Sequence, residues 1–267
     1  MTTAPAIWLY RIPGLLGRIT LDVAGHTTTI DLAAEALERV YLPLLAHLDH
    51  LARSSRVLAA LAGIPGSGKS TFVAVLNHLA NQLLEHGAFV AVGIDGWHLP
   101  NAILDQRTTR DENGRTIPLR RRKGGPESFD VPALAAAIEQ LAAPGRTARL
   151  PVYDRRLHDP RPDGIVITPA ARIILVEGNY LLDDAPPWNV VAARLSPKFL
   201  LMCDPDSARQ RVIDRHTRGG CTPTEAERKY SENDALNTAI VLNQSHRADW
   251  IIEMGSSPRW RRTVRPS

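Results

Sequence analysis

The nine residues GIPGSGKST, Gly63 to Thr71, hold three glycines, a lysine and three hydroxyl side chains. Gly63 to Ser70 satisfies G-x-x-x-x-G-K-[ST] in full. In a chain of this composition the pattern arises by accident with a probability of roughly 0.2%, so the stretch reads as a built phosphate loop and not a chance glycine turn. Gly66 and Gly68 permit backbone conformations that turn successive N–H groups inward. Those donors, with the N-terminus of a following helix, hold a β-phosphate. Lys69 would reach the β- and γ-phosphates, and the Ser70 hydroxyl would hold magnesium. Gly63, Pro65, Gly66, Ser67, Gly68, Lys69, Ser70 and Thr71 are therefore the expected nucleotide contacts.

Two carboxylates follow apolar runs. FVAVGIDGWH ends one at Asp95, and RIILVEGNYLL ends another at Glu177. If these runs are parallel strands beside the loop's own strand, both acids reach the edge that holds Lys69. One can then take a proton from an attacking hydroxyl while the other holds magnesium, directly or through water. An Asp at a strand end can equally cap the next helix. Glu177 has less use as a cap, because Gly178 follows it and an acid ending a buried strand needs partners. Further on, Arg211, Arg215 and Arg218 are spaced by four and three and share a helix face. Such a row suits an anion, and arginines over a transferring phosphoryl group stabilise its charge. A solvated helix with pairs such as Asp214 and Arg218 is the plain alternative. Gly219 and Gly220 would give that segment a hinge.

These residues need a scaffold. The runs RVLAALAG, FVAVGID, RIILVEG, KFLLMCD and DWIIEM alternate with helical stretches, which predicts a parallel sheet in an α/β fold. Between residues 96 and 168 the pattern breaks into an irregular segment with eight prolines and one clear helix, VPALAAAIEQLA, capped by Ser128 or Asp130. An insertion at a strand's carboxyl end is where such folds place substrate contacts. Upstream, residues 18–30 read as a hairpin with a Gly-His turn. Asp31 is the expected cap of the next helix, with Glu35 in its first turn. Pro43 would kink or split that helix. The expected organisation is a hairpin-and-helix appendage over 1–52 and a main domain over 53–267. The latter would hold the insertion at 96–168 and a lid at 205–230, its helix capped by Asp206 or Ser207.

Composition excludes several classes. Hydrophobic residues make up 44% of the 267 and charged ones 22%, as in ordinary globular proteins. The net charge of +4 rests almost wholly on arginine, and no basic surface interleaved with aromatics appears, so no nucleic-acid partner is expected. Cys203 and Cys221 cannot build a disulfide framework or a four-ligand zinc site. No run of about 18 apolar residues exists, so no membrane association is expected. The first twenty residues lack a basic leader and are broken by Arg11 and Pro13, a poor signal peptide. A cytoplasmic protein is expected.

Six segments carry a resemblance: GIPGSGKST, GIDGWHLPN, RRKGGPESFDV, PVYDRRLHDP, IILVEGNYLL and RVIDRHTRGG. Their order and spacing over residues 54–254 resemble the uridine kinase, pantothenate kinase and phosphoribulokinase superfamily of P-loop kinases. The nearest likeness is to the bacterial branch labelled nucleoside/nucleotide kinase or fructose transport system kinase. The resemblance implies a P-loop NTPase three-layer α/β/α fold with a five-stranded parallel core sheet in the order 2-3-1-4-5. It implies ATP and Mg2+ as cofactors, Asp95 as the catalytic base lying near magnesium, and Glu177 as the acid at the metal. Lys69, Arg211 and Arg215 would act on the transferring phosphoryl group.

On the acceptor side, Trp97 and His98 stand two and three residues after Asp95 and suit stacking and hydrogen bonding, or else a structural turn. The run 120–123 reads as a solvated loop on charge alone. The family motif instead implies that Arg122, Lys123 and Phe129 shape the acceptor pocket. PVYDRRLH resembles the stretch with which uridine kinases contact their nucleoside, which implies contacts from Tyr153 and His158. Arg155 and Arg156 stand where uridine kinases have aromatic residues, a departure that suits an acidic or phosphorylated acceptor or plain surface. The expectation is an ATP-dependent kinase acting on a hydroxyl of a small metabolite such as a sugar, a nucleoside or a pantothenate-like alcohol. The alternatives are a P-loop ATPase or regulator without an acceptor and an adenylate-kinase-type enzyme. A homodimer through residues 1–52 is left open.

Overall fold

The structure is a computed structural model that describes residues 17–263 except 24, 112, 144 and 256. Most of the segment searched for a leader therefore lies outside the described residues. The strands in chain order are β1 (Gly17–Val23), β2 (His26–Leu32), β3 (Val57–Ala62), β4 (Phe89–Gly93), β5 (Thr108–Arg110), β6 (Thr116–Pro118), β7 (Ala148–Asp154), β8 (Asp159–Ile167), β9 (Ile173–Glu177), β10 (Lys198–Met202), β11 (Trp250–Glu253) and β12 (Arg259–Arg262). The helices are α1 (34–51), α2 (Lys69–Leu83), α3 (Asn101–Gln106), α4 (Val131–Ala142), α5 (Asn189–Ala192), α6 (Pro205–Arg218), α7 (Pro223–Lys229) and α8 (Ala235–Asn243).

The central sheet runs β4–β9–β3–β10–β11 in parallel, with β12 antiparallel at its edge. Counted along the chain, its five parallel strands stand in the order 2-3-1-4-5. All six residues of β3 are buried, as a central strand covered on both faces requires. Its alternate residues feed two different cores. Leu58, Ala60 and Ala62 join α4 and the rings of Trp97, Phe129, Tyr180 and Trp188. Val57, Ala59 and Leu61 join α1 and α2. The two-residue period of the strand thus divides one VLAALA run between two helical layers.

Residues 32–52 share that second core, with Leu37, Leu45 and Leu48 fully buried against the sheet. Pro43 does not break α1. A π turn at Leu37–Tyr41, in which the Leu42 N–H reaches the Leu37 carbonyl, shifts the hydrogen-bond ladder just before the proline. Asp31 does not cap this helix. It stays in β2, paired with Arg18, while Leu32 completes the strand's buried face, and the chain turns into α1 at Ala33 without a side-chain cap. The 96–168 segment is more regular than its prolines suggest, because β5–β6 and β7–β8 form two hairpins that satisfy backbone groups without the main sheet.

Candidate functional site

The parallel order sets the site. β3, β9 and β4 end side by side, with Glu177 in register with Leu61 and Gly93. The phosphate loop leaves β3, Glu177 ends β9, and Asp95 follows β4 in a short 3-10 turn. Gly66 adopts a φ of 77°, and a Cβ there would lie 2.2 Å from the Ala208 carbonyl oxygen of α6. Only glycine lets the loop slide beneath that helix. Gly68, at a φ of 91°, opens α2.

Lys69 bends back over its own loop, its Nζ donating to the carbonyls of Gly63 at 2.7 Å and Ile64 at 3.0 Å. Burial lowers its pKa to about 8 against the pull of Glu177 and Asp95. The Ser70 hydroxyl donates to Glu177 Oε1 at 3.3 Å. Burial pushes the Glu177 carboxyl up, and the Lys69 charge opposes that rise. Adjacent ligands of an octahedral Mg2+ lie about 3 Å apart, so this pair of hard oxygens fits two neighbouring positions on one ion. No group of three or more His, Cys, Asp or Glu side chains suited to a metal occurs among the described residues. A cation here would complete its shell with phosphate oxygens and water, as magnesium does. The Ser67 hydroxyl is buried without a hydrogen-bond partner in the same loop.

Asp95 differs from these groups. Its side chain is 51% exposed, and Arg155 Nη2 lies 3.7 Å from its Oδ2. His98 is 8% exposed and packs on Phe129, with ring centroids 4.0 Å apart, and on Tyr153 at 5.2 Å. Burial lowers its pKa, so the ring is neutral near pH 7. Its Nδ1 sits 2.9 Å from the Asp95 carbonyl. A carbonyl can only accept, so the proton rests on Nδ1 and the Nε2 lone pair stays free. Gly96 is required here too, because a Cβ would meet the Pro151 carbonyl oxygen at 2.4 Å. The β7–β8 hairpin therefore closes directly over the turn that carries Asp95.

Some expected acceptor residues stand at this wall. Lys123 donates at 2.5 Å to Asn101 Oδ1 and to the His158 carbonyl, and lies 5.1 Å from the Tyr153 ring centre. Burial lowers its pKa and raises that of Tyr153 to about 12. His158 contributes its carbonyl, accepting from Asn101 and Lys123. Trp97 is 5% exposed and packs in the apolar core, reaching the surface at a cleft beside Gly96 and His98. Arg122 points elsewhere. It is buried and donates to Glu127, Asn233, Asn237 and the Glu232 carbonyl, which tie its loop to the π turn Tyr230–Asp234. A shallow cleft of about 380 Å³ runs past Gly96, His98, Asp130, Arg149 and Asp163, and none of Lys69, Asp95 and Glu177 lines it.

On α6 the Asp204 carboxylate, not Asp206 or Ser207, caps the helix, accepting the Ser207 N–H at 2.9 Å. Pro205 then takes the first helical position, where its missing N–H costs nothing. Asp130 caps α4. Arg211 donates to the Gly66 carbonyl at 3.2 Å, and Arg215 pairs with Asp234 at 3.9 Å. His216 bonds the other oxygen of Asp234 at 2.9 Å. Arg218 turns back to the Asp214 carbonyl. Sequence reasoning did not place Arg155 at Asp95, although its departure from the uridine kinase pattern was a signal. It missed Asp234 and Asn233 entirely, since YSEND has no motif or periodicity that marks it.

A parallel sheet of this order, with a G-x-x-x-x-G-K-S loop after its middle strand and two acids on neighbouring strand ends, defines a P-loop α/β protein of the kinase type. No protein-family profile matches the chain. It is 33% identical over 246 residues to the Escherichia coli K12 protein named "Uncharacterized protein YggC", covering 91% of this chain and 98% of that one. It is 31% identical over 209 residues to a Schizosaccharomyces pombe protein whose name includes "Putative uridine kinase", covering 77% and 86%. The Silicibacter sp. TM1040 structure described as a "putative fructose transport system kinase" superposes with a TM-score of 0.64 at 28% identity, covering 75% of this chain and 94% of that one. The chain belongs to the superfamily of P-loop kinases that includes the uridine kinases, pantothenate kinases and phosphoribulokinases. No helix among the described residues is long and apolar enough to cross a membrane.

Proposed function

We propose that the protein transfers the γ-phosphoryl group of ATP to a hydroxyl of a small metabolite. One observation carries this reading: an exposed carboxylate, Asp95, shares a strand-end edge with the buried Lys69 and the Ser70–Glu177 pair. A nucleotide hydrolase needs the buried groups. The exposed acid, with Arg155 and His98 close by, would give a second substrate a group to approach.

The Gly63–Thr71 loop and the α2 N-terminus would hold the β- and γ-phosphates. Lys69 would leave its two carbonyls for the phosphate oxygens. Magnesium, held by Ser70 and Glu177 with Asp95 nearby, would supply charge neutralisation between the phosphates. Asp95 takes the proton of the acceptor hydroxyl as its oxygen bonds to the γ-phosphorus. The bond from that phosphorus to the β–γ bridging oxygen breaks, and its electron pair leaves with ADP. Arg211 and Arg215, on a lid helix ending at Gly219–Gly220, would stabilise the charge of the moving group. His98, Lys123, Phe129 and Tyr153 form the acceptor wall.

The test is ADP release with ATP, magnesium and a panel of sugars, nucleosides and vitamin-like alcohols. A rise with one acceptor class, lost in D95N, is expected. Equal ADP release with every metabolite and with none would leave an ATPase instead.

A further inference from the structure

Arg155 stands out on the acceptor side by having almost nothing to hold it. Its guanidinium carries five N–H donors. Among the described residues its side chain pairs with the Asp95 carboxylate alone, at 3.7 Å, beyond hydrogen-bond length. Three neighbouring cations, by contrast, are tied. Lys123 has two acceptors, Arg120 bonds Asp105, and Arg122 is buried in its own network. The turn that presents Arg155 is nevertheless fixed. Asp154 Oδ1 accepts the N–H groups of Arg156 and Leu157, and Gly96 brings the hairpin down onto the Asp95 turn. A firm backbone thus aims a loosely held guanidinium, 37% exposed, at the expected base. Its charge is felt by His98 and Tyr153 on one side and by Glu177 on the other, so it stands where the expected acceptor wall meets the strand-end acids.

This arrangement has a cost for a neutral acceptor. A guanidinium facing Asp95 competes with the hydroxyl that must approach the same carboxylate. An exposed ion pair of this length is weak and easily opened. A phosphate or carboxylate on the acceptor offers Arg155 two parallel charge-assisted hydrogen bonds, which the Asp95 pairing does not.

We propose that Arg155 selects the acceptor: it binds an anionic group, phosphate or carboxylate, on the hydroxyl substrate and in doing so swings away from Asp95. The proposal rests on the kinase reading above. The acceptor class is then an alcohol that already carries a negative charge.

The experiment uses the full-length protein with ATP and magnesium and two matched acceptor sets: ribitol, ribonate and ribitol 5-phosphate, and pantothenol with pantothenate. Within a set the charged member is expected to exceed the neutral one at least tenfold in kcat/KM. The ribonate and ribitol 5-phosphate arms tell carboxylate from phosphate. Arg155→Ala should cut the charged-to-neutral ratio about tenfold or more, bringing it to about one, mostly through KM, as loss of a charge-assisted contact requires. Arg155→Gln, closer in size, repeats the measurement should the alanine variant fold poorly. Equal kcat/KM for neutral and charged members in the native enzyme overturns the proposal and leaves the kinase reading standing. So does a variant that loses both in proportion. No acceptor-dependent ADP release from any member sinks the kinase reading and this proposal with it.

Discussion

The phosphate loop and the 155–158 turn both bear on Asp95, and they are built on opposite plans. In the loop the lysine and the metal-facing hydroxyl are already held, though the buried Ser67 hydroxyl has no partner. Lys69 has two carbonyls, Ser70 has Glu177, Arg211 has the Gly66 carbonyl, and Gly66 lies pressed under Ala208. At the turn, Arg155 has one long ion pair. A site for the phosphates shared by all nucleotides can be fixed in advance, since preorganised dipoles cost no reorganisation when charge develops. A site for one particular acceptor gains from a group that exchanges partners on binding. The rigid half would thus supply the rate and the loose half the choice of substrate.

The largest effect that would sharpen this contrast comes from the rigid half. Lys69→Ala should lower kcat/KM for ATP by about a thousandfold or more, on the scale of removing charge stabilisation in phosphoryl transfer. Steady-state kinetics check it, and an unchanged value would remove the loop from the reaction. The buried ammonium has a second signature. Its pKa in the folded protein, about 8, lies below the ordinary 10.5. A lowered lysine pKa penalises folding at and below pH 8, where the group is charged in both states, and the penalty is relieved as pH rises toward 10.5. Lys69→Met should therefore flatten the pH dependence of stability between about 8 and 10.5 in the nucleotide-free protein. Denaturant unfolding across that window measures the slope.

Next in size is Arg215 of α6, the helix proposed as a lid. Arg215→Ala should slow transfer by roughly a thousandfold, near the lower end for an arginine that meets transition-state charge, with less change in the acceptor KM. A rise confined to that KM would assign Arg215 to the acceptor side and break the division. Asp95→Asn follows. It should lower kcat by about 100-fold or more, the scale of general-base loss, while nucleotide affinity measured by titration calorimetry holds. Near-normal turnover would remove Asp95 from the base role.

The same division explains what the sequence disclosed. The strands, the loop and the strand-end positions of both acids were legible because each depends on local pattern, whereas the strand order came from the family resemblance. VLAALA has no polar face, G-x-x-x-x-G-K-S has fixed spacing, and Asp95 and Glu177 sit where apolar runs stop. The positions of side chains that act across long separations were not legible. Arg122 looked like an acceptor contact, yet its partners lie more than a hundred residues away at Asn233 and Asn237. Trp97 stands two residues after Asp95, but the 3-10 turn points its ring into the core. Asp204 caps α6 because Pro205 pre-sets the first helical turn, a signal that was readable in DPDS and passed over for the residues after it.

Arg122 gives the smallest expected effect on chemistry and the clearest discrimination. Its guanidinium is buried, and it bridges Glu127 on its own loop to the π turn before α8. That turn also offers Asp234 to Arg215 and His216 of α6. Removing one partner of a buried charged network leaves Glu127, Asn233 and Asn237 with unmet hydrogen bonds, a loss of about 3 kcal/mol. In a chain of this size Arg122→Ala should then lower Tm by roughly 6–10 °C. If Arg122 instead lined the acceptor pocket, the variant would raise the acceptor KM and leave Tm near its native value. Thermal unfolding beside acceptor kinetics therefore tells which half of the molecule Arg122 serves. A large fall in Tm with a small change in KM assigns it to the rigid frame that joins its own loop, through the π turn, to α6.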